Sequence, residues 1–387
     1  MRIMAIERDI LATNYYRILA PLSKADELGL AEVYFIKEAE LGEPNAANLA
    51  VMADVIVMCR PSTKAWFDFI KVCRKMGKVI VTDYDDDPFN TSPLNPYYAY
   101  VGIQPVEYQW ADGTKEMLWS EDMVSQGGKK IFNIEANIHF RDMFMLNFKK
   151  SDLVSCTTPI LKEDFLKINP NVAVLPNFID PDFYPSGQEF VKREVRMGWQ
   201  GGASHYEDLY LIRPAIGNIL RRHKNVKFVY SGDMRFIGLF KDFPQDQIEY
   251  HPWVRHNAYP YKMYSLNLDI GLCPVVDNHF NRNKSAIKWL EYSVLNAATV
   301  ASDIPPYSPV IAHGHTGLLA KEDPRDWEQQ IESLVIDKYA RQRIARDANH
   351  EVLSNHNIHT KAHMWIDAYG KALKGEPMDA KLEVTPV

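Results

Sequence analysis

The run Asn283-Lys284-Ser285-Ala286-Ile287-Lys288-Trp289-Leu290-Glu291-Tyr292 carries two ammonium groups and a carboxylate at spacings that suit one ligand. At helical spacing Lys284 and Lys288 share a face, with Glu291 three positions beyond the second lysine. Two cations near a helix N-terminus can pair with a diphosphate, and a carboxylate a turn later can accept the hydroxyls of a ribose. A solvated amphipathic face would look similar. Ile287, Trp289 and Leu290 argue instead for a helix packed into a core. A second candidate is Gly198-Trp199-Gln200-Gly201-Gly202-Ala203-Ser204-His205, placed where a strand gives way to a helix. Adjacent Gly201 and Gly202 permit a tight turn and a close backbone approach to an anion. The spacing is neither that of a Walker loop nor that of a dinucleotide fingerprint. His205 is placed either to contact phosphate or sugar, or to cap the helix.

A third group is Asp83-Tyr84-Asp85-Asp86-Asp87-Pro88-Phe89. Carboxylates this dense repel one another, so some must be hydrogen-bonded, countercharged or raised in pKa. Asp85 and Asp86 are the candidates to orient hydroxyl groups of a second ligand, while Asp83 is placed to fix the turn. A divalent ion held through oxygen ligands and a plain acidic turn are the other readings of this run. Arg60 follows a predicted strand, and Arg17 lies early in the first predicted helix; either could meet an anionic ligand or serve as a salt-bridge partner. Tyr97, Tyr98, Tyr100, Tyr108, Trp110 and Trp119 offer flat surfaces for sugars or bases, or simply pack the region around them.

The elements that position these residues alternate in type. Strands are predicted at Arg2 to Ile6, Glu32 to Ile36, Asp54 to Met58 and Lys78 to Thr82, with helices at Tyr15 to Leu28 and Thr63 to Met76. No lasting period appears between Asp85 and Asn137, which reads as loops and short helices. The alternation then resumes with helix His139 to Phe148, strand Asp152 to Cys156, helix Pro159 to Ile168 and strand Val172 to Leu175. A second series follows: strand Val195 to Gln200, helix Glu207 to Arg222, strand Val226 to Tyr230, strand Leu268 to Cys273, helix Lys284 to Leu295 and strand Ala298 to Ser302. Helices near Asp326 to Ile336, Tyr339 to Leu353 and Thr360 to Leu373 close the chain. Such alternation predicts α/β architecture with two Rossmann-like doubly wound parallel sheets, whose ligands sit beyond the carboxyl ends of the strands. The domains are expected at 1–178 and 179–355, with the chemistry in the cleft between them. A C-terminal helix follows over 356–373, for which a crossing back to the first lobe is open, and 374–387 reads as a polar tail.

The 387 residues suffice for two cores of ordinary size, and 46% apolar with 24% charged residues is a globular composition. A net charge of −6 argues against a generic nucleic-acid binder while leaving room for a local basic stripe. Cys59, Cys73, Cys156 and Cys273 lack metal-ligand spacing and read as buried thiols in a reducing compartment. The opening Met1-Arg2-Ile3-Met4-Ala5-Ile6-Glu7-Arg8 meets charge too early for a signal peptide, and no apolar run is long enough to span a membrane. Cytoplasmic residence is the expectation.

The run Lys288 to Asp303 resembles the donor-binding segment of GT-B glycosyltransferases, in particular the large retaining family numbered four. Gly314-His315-Thr316-Gly317-Leu318-Leu319 is similar to the glycine-containing turn after that segment, and Pro176-Asn177-Phe178-Ile179-Asp180 to its interdomain connection. The likeness covers residues 150 to 370 well and the first lobe loosely. It implies a GT-B fold, an N-terminal acceptor domain and a C-terminal nucleotide-sugar domain. Glu291 would hold the donor ribose, Lys284 and Lys288 the donor phosphates or sugar, and Gly201 and Gly202 the diphosphate, with His205 and Asn283 beside them. Lys288, Asp85 and Asp86 would be the catalytic candidates, and Arg17, Arg60, Asp85 and Asp86 the acceptor contacts. The family commonly has an acid eight positions before the ribose-binding one, where this chain has Asn283. It also has a glycine pair after the first strand, where Asp9-Ile10-Leu11-Ala12 stands here.

The resemblance implies transfer of a sugar from a nucleotide-sugar donor to an acceptor hydroxyl with retention of configuration and no obligatory metal. Three other readings share the architecture: a nucleotide-sugar epimerase, a non-catalytic nucleotide-binding or structural protein, and a glycosyltransferase acting on nucleic-acid bases.

Overall fold

In the computed structural model the structure describes residues 1–8, 12–110, 113–125, 127–185 and 194–378. The expected departure at Asp9-Ile10-Leu11 and most of the polar tail lie outside them. The chain divides into two compact units, one formed by Met1–Pro176 with the described residues from Ile358 onward, the other by Asn177–Asn357.

Unit 1 holds β1 (Arg2–Glu7), β2 (Glu32–Lys37), β3 (Val55–Cys59), β4 (Val79–Tyr84), β5 (Val106–Gln109), β6 (Lys115–Trp119), β7 (Leu153–Cys156) and β8 (Val172–Val174). Six of these form a parallel sheet in the order β2-β1-β3-β4-β7-β8, while β5 and β6 pair as a separate antiparallel hairpin. Every residue of β3 is buried, as expected of a parallel strand covered on both faces. Met4, Ile6, Ile56, Met58, Trp66 and Ile70 form one core. Tyr84, Phe144, Phe148, Val154, Leu161 and Phe165 form another.

Unit 2 contains β9 (Val195–Gly201), β10 (Val226–Gly232), β11 (Ile248–Pro252), β12 (Ile270–Cys273), β13 (Ala298–Ser302) and β14 (Leu318–Ala320). Its parallel sheet runs β11-β10-β9-β12-β13-β14. The helix Tyr206–Arg222 covers one face, with Leu209, Ile212, Ile216 and Ile219 buried against Phe228, Ile270, Trp327 and Ile331. Strands β11 and β14 were not expected: β11 carries Glu249 and His251 among its five residues, and β14 has only three, so neither shows a period. Pro44–Met52 is a helix between β2 and β3; its proline occupies the first turn, where no backbone N–H is needed.

The four cysteines are buried free thiols. No helix among the described residues is long and apolar enough to cross a membrane. The terminal helix His363–Lys374 belongs to unit 1 and buries Trp365 and Tyr369.

Candidate functional site

In unit 2 the strand order runs outward in opposite directions from β9 and β12, so their carboxyl ends border the crevice where doubly wound sheets receive ligands. Gly201 ends β9, and a Cβ there would lie 2.6 Å from Trp199 Cζ2 and 3.1 Å from His205 Cδ2. Glycine at this point lets the two rings close over the strand end. At Gly202 the nearest atom to a built Cβ is Trp253 Cζ2 at 4.0 Å, so the backbone there has room beside it.

His205 ends a short 3-10 turn, Ala203–His205, that leads into the helix Tyr206–Arg222. Its Nδ1 lies 2.7 Å from Asp208 Oδ2, and Asp208 is almost wholly buried. The other Asp208 oxygen accepts from the Val276 amide at 2.9 Å and from Asn281 Nδ2 at 3.3 Å. Burial would raise the Asp208 carboxyl, but the hydrogen bond from His205 and the Lys284 charge hold it below its ordinary value. Burial, followed by the charges of Lys288 and Lys284, pushes His205 down to about 3 against the pull of Asp208. The imidazole is therefore neutral at physiological pH. With Nδ1–H donating to Asp208, Nε2 accepts from Lys288 Nζ at 3.2 Å.

The sequence placed Lys284 and Lys288 on one helix, and the structure corrects this. The helix spans Ile287–Val294, and Lys284 lies in the turn after the short helix His279–Arg282. Asn177 Nδ2 donates to Ser285 Oγ at 2.8 Å, in the segment between the two helices. The two lysines remain close enough for the Lys284 charge to join burial in lowering the Lys288 pKa, with Cys273, Glu291 and Asp208 opposing. Lys284 Nζ is shielded from solvent, has no hydrogen-bond partner among the described residues, and sits 5.0 Å over the Phe280 ring. Asn283 is completely buried in the same turn.

Glu291 is 4% exposed, and its Oε2 accepts from Gln200 Nε2 at 2.9 Å and from Tyr259 Oη at 2.7 Å. The carboxylate thus joins its helix to the end of β9 and to the helix Tyr259–Leu266. Trp289 Nε1 donates to the Thr316 carbonyl at 2.9 Å, which ties the glycine-containing turn to the same helix. Gly201, His205, Lys284, Lys288 and Glu291 therefore gather near the carboxyl ends of β9 and β12. Sequence reasoning missed Asp208, Gln200 and Tyr259. Asp208 had a signal in its position three residues after His205 on a helix; Tyr259 had none.

In unit 1 the corresponding reversal of strand order lies between β1 and β3, and Arg60 follows β3 with a positive φ of 48°. Arg60 Nε lies 3.7 Å from Asp85 Oδ1, and neither atom has a hydrogen-bond partner among the described residues. Asp85, aided by Asp86, raises the Arg60 pKa against the effect of burial. Asp85 Oδ2 accepts from Thr13 Oγ1 at 2.9 Å, and its carbonyl accepts from Thr157 Oγ1 at 3.0 Å. Asp86 is half-buried beside it. Asp87 instead closes the turn, accepting from the Phe89 amide at 2.8 Å and from Asn90 Nδ2 at 2.6 Å.

Arg17 does not belong with these residues. Its guanidinium is fully buried and bound at both ends to Asp83, so it is a structural ion pair rather than a ligand contact. Among the aromatic candidates, Tyr98 and Trp119 pack together and against Phe132, while Tyr100 is exposed.

No protein-family model matches the chain. No curated protein matches it in sequence. Solved structures do match. Anabaena HepE in complex with UDP-glucose superposes with a TM-score of 0.62 at 12% identity, covering 96% of this chain and 100% of that one. A glycosyltransferase from Rickettsia africae gives 0.62 at 13% identity, covering 96% and 98%. Sucrose-phosphate synthase from Thermosynechococcus elongatus gives 0.62 at 12% identity, covering 97% and 100%. At these identities the likeness establishes the fold: an α/β chain of two parallel-sheet domains, matching GT-B glycosyltransferases.

Proposed function

We propose that this chain is a glycosyltransferase that takes a sugar from a nucleotide-sugar donor bound at the β9 and β12 ends of unit 2 and passes it to an acceptor hydroxyl with retention of configuration. The observation that carries this reading is the pair Lys284 and Lys288, two ammonium groups near those strand ends, one of them shielded without a hydrogen-bond partner among the described residues. A diphosphate supplies the negative charge and acceptor oxygens that such a pair lacks. Glu291, close to the same strand ends, suits the hydroxyls of the attached ribose. HepE, of similar fold, has been solved with UDP and with UDP-glucose, which makes a uridine nucleotide the first probe.

In the transfer the acceptor oxygen forms a bond to the anomeric carbon as the bond from that carbon to the diphosphate breaks. The diphosphate leaves with the electron pair, and same-face attack lets a leaving phosphate oxygen take the acceptor proton. Lys284 and Lys288 stabilise the charge that develops on the leaving group, a role best filled by fixed cations in a site shielded from water. Asp85, Asp86 and Arg60 of unit 1 are assigned to the acceptor hydroxyl.

Calorimetry on the whole chain with UDP, GDP, ADP and dTDP tests the donor assignment, and Lys288→Met is expected to weaken whichever nucleotide binds. Failure of all four to bind would overturn the reading. Incubation of the matching nucleotide sugars with an acceptor array, followed by NMR of the product, tests transfer and anomeric outcome. Conversion of the donor sugar without an acceptor would point to epimerisation instead.

A further inference from the structure

We propose that Asp208 and His205 are positioning residues that aim the Lys288 ammonium group at the donor diphosphate. This rests on the proposed donor site, but nothing in that reading requires a buried histidine or a second carboxylate. The geometry supplies both. Asp208 has both oxygens engaged, by His205 on one side and by the Val276 amide and Asn281 on the other. A carboxylate clamped in this way fixes the rotation of the imidazole and keeps the proton on Nδ1. The opposite nitrogen then has a lone pair, and Lys288 Nζ lies 3.2 Å from it.

One Lys288 N–H is committed to that lone pair, so the remaining two have fixed directions. A flexible four-carbon stem becomes a directed donor, and its rotamer entropy is spent before the ligand arrives. The burial of Trp199 against His205, with ring centroids 5.9 Å apart in an edge-on arrangement, blocks the imidazole from turning away. The charged and titratable groups around Lys288 are Lys284 from the preceding turn, Cys273 from β12, Asp208 and His205 from the helix start after β9, and Glu291 from its own helix.

Two substitutions separate the contacts of the ring. His205→Asn keeps an amide near the Nδ1 position for Asp208 but leaves Lys288 without its acceptor. His205→Gln can place an amide oxygen near the Nε2 position. With the nucleoside diphosphate that binds the parent chain, affinity is expected to fall about tenfold in His205→Asn, the scale of one lost charge-assisted hydrogen bond, and to recover in His205→Gln. The alkaline loss of affinity should also begin at lower pH in His205→Asn, because an ammonium group without its acceptor is easier to deprotonate. Equal weakening in both variants with no movement of the pH profile would reduce His205 to a structural role and overturn the proposal.

Two ligand-independent measurements keep the proposal distinct from the donor assignment. Nitrogen NMR of the unliganded chain should show His205 neutral with its proton on Nδ1 between pH 5 and 8, and carbon NMR should show Lys288 titrating at lower pH in His205→Asn than in the parent. A protonated ring, the opposite tautomer or an unmoved lysine titration would sink the positioning role. If those signatures appear while no nucleotide binds, the proposed function fails and the Asp208–His205–Lys288 arrangement stands.

Discussion

Arg17 and Asp83 meet end to end: Nε and Nη2 of the arginine donate to the two carboxylate oxygens at 2.8 Å each, and neither side chain is exposed. Arg17 Nη1 also donates to the Leu175 carbonyl at 2.5 Å, and Ser155 Oγ donates to Asp83 Oδ2 at 2.5 Å. The pair therefore joins the first helical segment to the ends of β4 and β7 and to the residue after β8. Its guanidinium lies 5.8 Å from the Trp365 ring, which brings the terminal helix into the same assembly.

Removing one partner of such a pair leaves a buried charge uncompensated. Arg17→Met is expected to destabilise the chain by about 3–5 kcal/mol in urea unfolding, and Arg17→Met combined with Asp83→Leu by much less. If the single variant unfolds at the parent midpoint, the pair is not a structural tie.

Lys284 invites the opposite experiment. A shielded ammonium with no hydrogen-bond partner among the described residues costs stability, and the ring of Phe280 and the charge of Asp208 offset it in part. Lys284→Met keeps the apolar stem and removes the charge. The unliganded chain should gain about 1–3 kcal/mol while nucleoside diphosphate affinity falls, a trade between stability and binding that calorimetry and thermal unfolding read together. Loss of both stability and affinity would mean that Lys284 holds the fold rather than a ligand.

The alternation of apolar runs made the parallel strands legible, because β3, β12 and β13 are buried along their whole length and are built mostly of apolar residues. Short β14 and the polar-bearing β11 have no such signature. The lysines and Glu291 were legible as residue types at helical spacing, yet Lys284 falls in a turn before the helix, beside Ser285, whose hydroxyl bonds to Asn177 more than a hundred positions away. Arg17 was misread for a related reason. An arginine early in a helix looks the same in sequence whether it faces a ligand or a buried aspartate sixty-six positions on. Tyr259 reaches Glu291 only through tertiary packing.

The neutral state of His205 has a consequence for stability in acid. Burial depresses its folded pKa to about 3 from an ordinary 6.5, so the unfolded chain takes up the proton first and stability falls as pH drops through that window. At pH 7 the ring is neutral in both states and the penalty is absent. His256, pushed down to about 4 by burial, adds to the same window. Between pH 7 and pH 5, above the ordinary carboxylate range, His205→Asn should lose about 1–2 kcal/mol less than the parent. Parallel urea midpoints for the two chains across that interval would show instead that the ring is charged in the folded state.

The proposed function assigns Asp85 of unit 1 to the acceptor and the lysines and Glu291 of unit 2 to the donor, so variants of Asp85 should separate transfer from donor binding. Its Oδ2 is held by Thr13, and its Oδ1 faces Arg60 Nε at 3.7 Å, too far for a hydrogen bond between them. Asp85→Asn keeps the shape and removes the charge, so nucleotide affinity should stay at the parent value while single-turnover transfer falls about a hundredfold or more, the scale of a lost orienting group. Asp86→Asn is expected to act in the same sense. Asp87→Asn provides the contrast: Asp87 caps the turn through Phe89 and Asn90, so its loss should lower the unfolding midpoint as well as the rate. Transfer would be followed with the acceptor returned by the array, and thermal unfolding would be checked for each variant. Parent-like transfer in both Asp85→Asn and Asp86→Asn would leave the acidic run as a structural turn. Matched losses of affinity and transfer would move it to the donor side.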